Sequence, residues 1–175
     1  MARPNKSKQP NYAFIDAQNI HLGVKANGWK LDWGRFFVFL QDKYQISEAY
    51  LYIGFVAENR SLYNMMQKAG FIVVFKEITK DPDGRIKGNV DADMIVDVMR
   101  MLNNYDSATL VTGDGDFSVL VRYLQKENKF ARIIAPNRRY CARFLMRDAG
   151  SKIVFLDQMR HKLAVKNNSK KKRTS

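Results

Sequence analysis

The sequence predicts an α/β fold, a parallel sheet flanked by helices on both faces, and three observations carry that prediction. Six short apolar runs recur between residues 12 and 156. Segments of helical periodicity lie between them, and parallel neighbours need such crossovers, which are nearly always right-handed. With 175 residues, 46% of them hydrophobic, the chain suits one domain around one sheet.

Each element has its own signal. "YAFIDAQNI" is an apolar run that ends in polar residues, as expected of a buried strand entering a loop. "LDWGRFFVFLQDKY" offers Asp32 as an N-cap, with Phe36, Phe37 and Leu40 at helical spacing. The strand "EAYLYIGFV" follows, then the helix "ENRSLYNMMQKAGF", which Gly70 closes at a C-cap position. "FIVVF" is the next buried strand. "KEITKDPDGRIKGN" holds Pro82, Gly84 and Gly88 among charges and reads as a long loop or an edge hairpin. "VDADMIVDVMRML" is an amphipathic helix, "ATLVT" a strand, "FSVLVRYLQKEN" a helix and "FARIIA" a strand. "RRYCARFLMRDA" then reads as a helix and "KIVFL" as the last strand.

Composition excludes several classes. One cysteine and two histidines rule out a disulfide scaffold and Cys/His zinc sites. The opening "MARPNKSKQP" lacks the apolar core of a secretory signal, and no run approaches the ~18 apolar residues that span a bilayer. The expectation is a cytoplasmic protein without membrane contact.

The net charge of +13 is unevenly placed. Arg3, Lys6 and Lys8 precede the first strand without an acid, and residues 158–175 hold Arg160, Lys162, Lys166, Lys170, Lys171, Lys172 and Arg173, again without an acid. Without these ten, Lys and Arg nearly balance the 17 acids. The expected organisation is a basic disordered arm over 1–10, a folded domain over 11–157 and a basic tail over 158–175. Such arms attract phosphate backbones, although they also serve as solubility tails.

The acids follow a different logic. In open parallel sheets functional groups collect at the carboxyl ends of the strands. Asp16 ends the first strand, Asp114 and Asp116 follow "ATLVT" in the glycine turn "TGDGDF", and Asp91, Asp93 and Asp97 lie on the helix leading into that strand. Asp93 and Asp97 share a helix face, and Asp91 sits about 200° around from Asp93. Asn89, Asp91 or Asp93 also reads as an ordinary helix cap, and Asp114 or Asp116 as a cap before Phe117. A cap explains one aspartate of the turn and not two. Carboxylates converging on Asp16 raise one another's pKa unless a cation lies among them. Hard oxygen donors and few imidazoles point to Mg²⁺ or Mn²⁺. Thr112 and Asn19 are candidates for orienting a metal-bound water or a phosphate, and also read as strand end and turn former.

These segments resemble the NYN domain family, a PIN-like nuclease group, and more closely its bacterial LabA-like branch. The resemblance rests on "FIDAQNI", "KGNVDADMIVDVM" and "LVTGDGDFSVLV", in order and in strand context, over roughly residues 12–157. It implies a Rossmann-like, PIN-type domain whose acids bind Mg²⁺ or Mn²⁺ and hydrolyse RNA phosphodiesters. Asp16, Asp114 and Asp116 carry over first; Asp91 and Asp93 follow, without deciding which matches the family's acid at the helix start.

Residues 122–152 hold nine Lys and Arg against Glu127 and Asp148. If "RRYCARFLMRDA" is helical throughout, Arg139, Arg143 and Arg147 form one stripe suited to successive phosphates, with Arg138 beside it. Tyr140 and Phe144 form a neighbouring stripe able to stack bases, but Phe144 also reads as core and Tyr140 as either. Lys76, Lys80, Arg85 and Lys87 make a second basic group before the acidic helix. Cys141 reads as a small buried hydrophobe rather than a nucleophile, and His21 draws notice only through its nearness to Asn19.

Two functions compete. One is a metal-dependent endoribonuclease; the other is a non-catalytic RNA-binding or regulatory module of the same fold. An aspartyl-nucleophile phosphatase of the haloacid dehalogenase type would place its DxD on the first strand, where this chain has "DAQN". A homodimer through an exposed helix is left open.

Overall fold

A computed structural model describes residues 10–76, 79–80, 86–87 and 90–166. The parts of the two basic arms over 1–9 and 167–175 lie outside the described residues.

The six predicted strands all form: β1 (Asn11–Asp16), β2 (Ile46–Gly54), β3 (Ile72–Lys76), β6 (Ser107–Val111), β7 (Phe130–Ala135) and β8 (Ile153–Phe155). They make one parallel sheet in the order β3-β2-β1-β6-β7-β8. The segment expected as a loop or edge hairpin supplies a separate two-stranded antiparallel pair, β4 (Thr79–Lys80) and β5 (Ile86–Lys87). The order reverses between β1 and β6, so the carboxyl ends of these two neighbours border the crevice where such sheets place ligands.

Alternation along β1 serves both faces. Tyr12 and Phe14 pack on one side with α4 (Val90–Arg100), α5 (Ser118–Lys126) and α6 (Arg143–Ala149). Ala13 and Ile15 pack on the other with α1 (Ala17–Ala26), α2 (Trp33–Tyr44) and α3 (Arg60–Ala69). Burial on both faces is why the strands read as continuous apolar runs. Asp32 caps α2 by accepting the Arg35 N–H at 3.1 Å. Gly70 ends α3 with φ of 112°, a left-handed conformation that glycine adopts without strain.

Three expectations are corrected. The polar "DAQN" does not run into a loop; it begins helix α1, with Ala17, Ile20 and Val24 buried against the sheet. The helix expected over residues 138–149 begins only at Arg143, because Pro136 and buried Asn137 hold the preceding residues in a turned connection. Ordered structure also continues past residue 157. A 3-10 turn (Leu156–Met159) leads into α7 (Arg160–Leu163), whose Leu163 is buried and whose carbonyl accepts the Asp32 N–H at 2.8 Å. Among the described residues no helix is long and apolar enough to cross a membrane.

Candidate functional site

Asp16 occupies two positions at once, the last residue of β1 and the N-cap of α1. Its carboxylate accepts the Asn19 N–H at 3.0 Å and is only 6% exposed. Burial pushes this carboxyl up to about 6, with the charges of Asp91 and Asp114 adding to the rise and the Asn19 and Gln18 amides opposing it. A buried acid held among other acids is a charge placed against its own solvation.

The turn after β6 is built to present its acids. Asp114 accepts the Asp116 N–H at 3.0 Å and so caps the short 3-10 turn Gly115–Phe117. Its own N–H is accepted by Thr112 Oγ1 at 3.1 Å, and Asn19 Oδ1 accepts the Gly113 N–H at 2.8 Å. Asn19 and Thr112 therefore commit these oxygens to the backbone of the turn that carries Asp114. Asn19 joins the start of α1 to the end of β6, which holds Asp16 and Asp114 on one edge. Gly113 is required by close approach: a Cβ there would lie 2.0 Å from the Tyr140 carbonyl oxygen.

Asp91, in the first turn of α4, completes the group. Burial raises its carboxyl pKa, and Asp114 and Asp116 raise it further. Asp16, Asp91 and Asp114 border a common cleft of about 220 Å³, with Asn19 and Gln18 as further polar lining and Leu22 and Val90 as apolar wall. No Lys or Arg is among the described residues of that lining. Asp116 is exposed at the outside of the turn and reaches the cleft through its charge.

Asp93 and Asp97, also expected among the metal ligands, do not line the cleft. Asp93 forms an ion pair with Lys76 at the end of β3. Asp97 pairs with Arg100 at 2.7 Å and accepts the Tyr52 hydroxyl at 3.2 Å. The cause is helical geometry: the face that Asp93 and Asp97 share is turned well away from Asp91.

The donor chemistry fits a hard divalent cation. The cleft offers three carboxylates and carboxamide oxygen, the ligand class of Mg²⁺ and Mn²⁺. Its form is open: among the described residues no three His, Cys, Asp or Glu side chains close into a metal cage.

The basic track differs from the expected stripe. Arg139 lies in the turned connection rather than on α6, so it does not line up with Arg143 and Arg147. Arg147 is tied to Asp148 at 2.8 Å, as is Arg122 at 2.5 Å, and Ser118 also donates to that carboxylate. The bonds from Arg147 and Ser118 hold the Asp148 carboxyl well below the usual carboxylate range. Arg138, Arg139 and Arg143 are exposed and form no ion pair among the described residues. Phe144, expected as core, is 47% exposed, and Tyr140 is 44% exposed. Cys141 is buried and its thiol is pushed up to about 11 by burial, consistent with an inert hydrophobe. His21 is exposed. The side chains of Lys80, Arg85 and Lys87 lie outside the described residues.

Asn137 is a buried polar anchor with little sequence signal. Almost fully buried, it donates to the Gly23 carbonyl at 3.0 Å and accepts the Tyr140 N–H at 3.0 Å, which fixes the 136–142 connection against α1. The only signal for it was the turn dipeptide Pro136–Asn137 after an apolar strand.

Comparison with known proteins bears on the family and the fold. The NYN domain model matches residues 12–156. The chain is 24% identical over 134 residues to the low amplitude and bright protein LabA of Synechococcus elongatus, covering 71% of this chain and 72% of that protein. The crystal structure of a protein of unknown function from Vibrio parahaemolyticus superposes with a TM-score of 0.76 at 22% identity, covering 93% of this chain and all of that one. With the family model spanning the sheet and every acid of the cleft, the chain belongs to the NYN domain family.

Proposed function

We propose that the chain is a Mg²⁺- or Mn²⁺-dependent endoribonuclease acting in the cytoplasm, with Asp16, Asp91 and Asp114 as the residues that hold the cation. The observation that supports it best is the convergence of these three carboxylates on one cleft whose described lining holds no basic side chain, with Asp16 and Asp91 raised by burial and by the neighbouring acids. The family supports a nuclease or RNA-related activity in the same direction. When bound, a divalent cation activates water and stabilises charge on a phosphodiester.

The chain's own contributions are separable. Asp16, whose ionised form is penalised by burial, would be stabilised as a carboxylate by a bound cation. Asp116, at the outer edge of the turn, adds negative potential without lining the cleft. Asn19 and Thr112 hold the turn in the shape that aims Asp114. Exposed Arg138, Arg139, Tyr140 and Arg143 gather the RNA backbone, with Lys87 and the basic arms as further contacts. Arg147, committed to Asp148, is secondary in that role. All these residues lie in one chain, and the reading needs no second copy.

Mn²⁺-dependent shortening of labelled RNA that disappears in Asp114→Asn with the fold retained is the expected result. The open form of the acid group favours one rival, a module that binds RNA without cleaving it. Salt-sensitive binding with no shortening under any divalent ion would establish that rival and end the nuclease assignment.

A further inference from the structure

Two aromatic side chains are built into the same turn that carries the acids. A Cβ on Gly115, between Asp114 and Asp116, would lie 2.2 Å from Phe144 Cζ, so the Phe144 ring rests directly on the turn. The Tyr140 carbonyl closes on Gly113, and Tyr140 Cβ lies 3.5 Å from where a Gly23 side chain would begin. Tyr140 therefore stands between the glycine turn and α1, close to Gly23, which follows the cleft residue Leu22 in the sequence. All three are substantially exposed: Leu22 52%, Tyr140 44% and Phe144 47%. Burial of the ring is the usual fate of a Phe, and here the fold seats its Cζ and Cε2 against the turn and leaves about half of the side chain in solvent.

Charge selects the occupant. Arg138, Arg139 and Arg143 flank the two rings and have no acidic partner among the described residues. Asp148, the nearest acid in sequence, is already bound by Arg122 and Arg147. Rings with free guanidinium groups suit a polyanion that also carries flat apolar faces, whereas an apolar helix from a partner protein would leave those cations unmatched.

We propose that Phe144 and Tyr140 form a stacking subsite for one unpaired nucleobase, and that this base sets which phosphodiester of the strand is delivered to Asp114. The inference rests on the nuclease reading and deepens it, because the ring lies against Gly115, the residue between Asp114 and Asp116. Phe144 is a specificity-determining residue in direct contact with the substrate; Asn137 is a positioning residue that holds Tyr140 through its N–H.

The test uses the full chain carrying Asp91→Asn, in Mg²⁺, and two short oligouridylates, one with a central 2-aminopurine and one with an abasic residue at that position. Binding of the first should quench the 2-aminopurine. Adding Phe144→Ala should weaken the first oligomer ~5- to ~150-fold and leave the second unchanged, and Phe144→Trp should retain the quenching. In the chain without Asp91→Asn, Phe144→Ala should also blur the cleavage position and raise KM more than it lowers kcat. Equal weakening of both oligomers, or no weakening of either, overturns the subsite while leaving the nuclease reading intact. Absence of both binding and cleavage in the unsubstituted chain overturns the nuclease reading itself, and the subsite with it.

Discussion

Replacing Asp16 by Asn should make the metal-free protein more stable at neutral pH. The Asp16 carboxyl stands at about 6 against an ordinary value of 3.8, so the folded chain binds that proton more tightly than the unfolded chain. The sign follows: relative to acid, stability is lost as pH rises from about 4 to about 6, and the penalty is complete above that window. At 1.36 kcal/mol per pH unit the penalty is about 3 kcal/mol. Asparagine caps a helix as well as aspartate does, so the Asn19 N–H keeps an acceptor. In excess chelator at pH 7.5, Asp16→Asn should therefore raise the unfolding free energy by roughly 2–3 kcal/mol, a rise of several degrees in Tm. At pH 4 the two proteins should unfold alike. Urea titrations at both values check this, and adding Mn²⁺ at pH 7.5 should stabilise the unsubstituted chain and not the variant. A variant less stable than the parent at pH 7.5, or a difference that is the same at both pH values, would refute the account of Asp16 as a strained acid.

Other substitutions separate the cleft from its surroundings. Asp97→Asn should leave Mn²⁺-dependent cleavage unchanged and lower stability by about 1 kcal/mol, because its partners are Arg100 and Tyr52; loss of cleavage would return Asp97 to the site. Gly113→Ala should destabilise by about 1–3 kcal/mol or more, since its Cβ would meet a backbone oxygen at 2.0 Å, and denaturant titration measures this. Asp148→Ala should loosen the joint between α5 and α6, seen as faster amide exchange there, and should strengthen RNA binding by freeing Arg122 and Arg147.

Strands and capped helices were legible because their signals are local. The Asp32 cap, the left-handed Gly70 and the doubly buried runs each depend on a few neighbouring residues. Helix α1 was hidden because Gln18, Asn19 and His21 break its apolar pattern and Gly23 lowers its propensity. That glycine answers to tertiary packing, as a Cβ there would strike Pro136 at 2.4 Å. The acids at strand ends stand out by position alone, and helix geometry separates Asp93 and Asp97 from Asp91; which of the two faces borders the cleft depends on where Lys76 of β3 lies in space. The start of α6 is hidden for a similar reason: Arg138, Arg139 and Ala142 are good helix formers, yet this stretch is held in a turn by Asn137, whose partner Gly23 lies 114 residues earlier.

Three glycines in this protein each lie against a fixed neighbour distant in the chain: Gly23 against Pro136, Gly113 against the Tyr140 carbonyl, and Gly115 against Phe144. Such dovetails constrain inheritance. A relative that acquires a side chain at 23 or 115 must shorten or relocate its counterpart at 136 or 144 in the same lineage, so these positions should drift in pairs. At 113 no compensating change of side chain exists, because the obstacle is main chain, and that glycine should be the slowest of the three to vary.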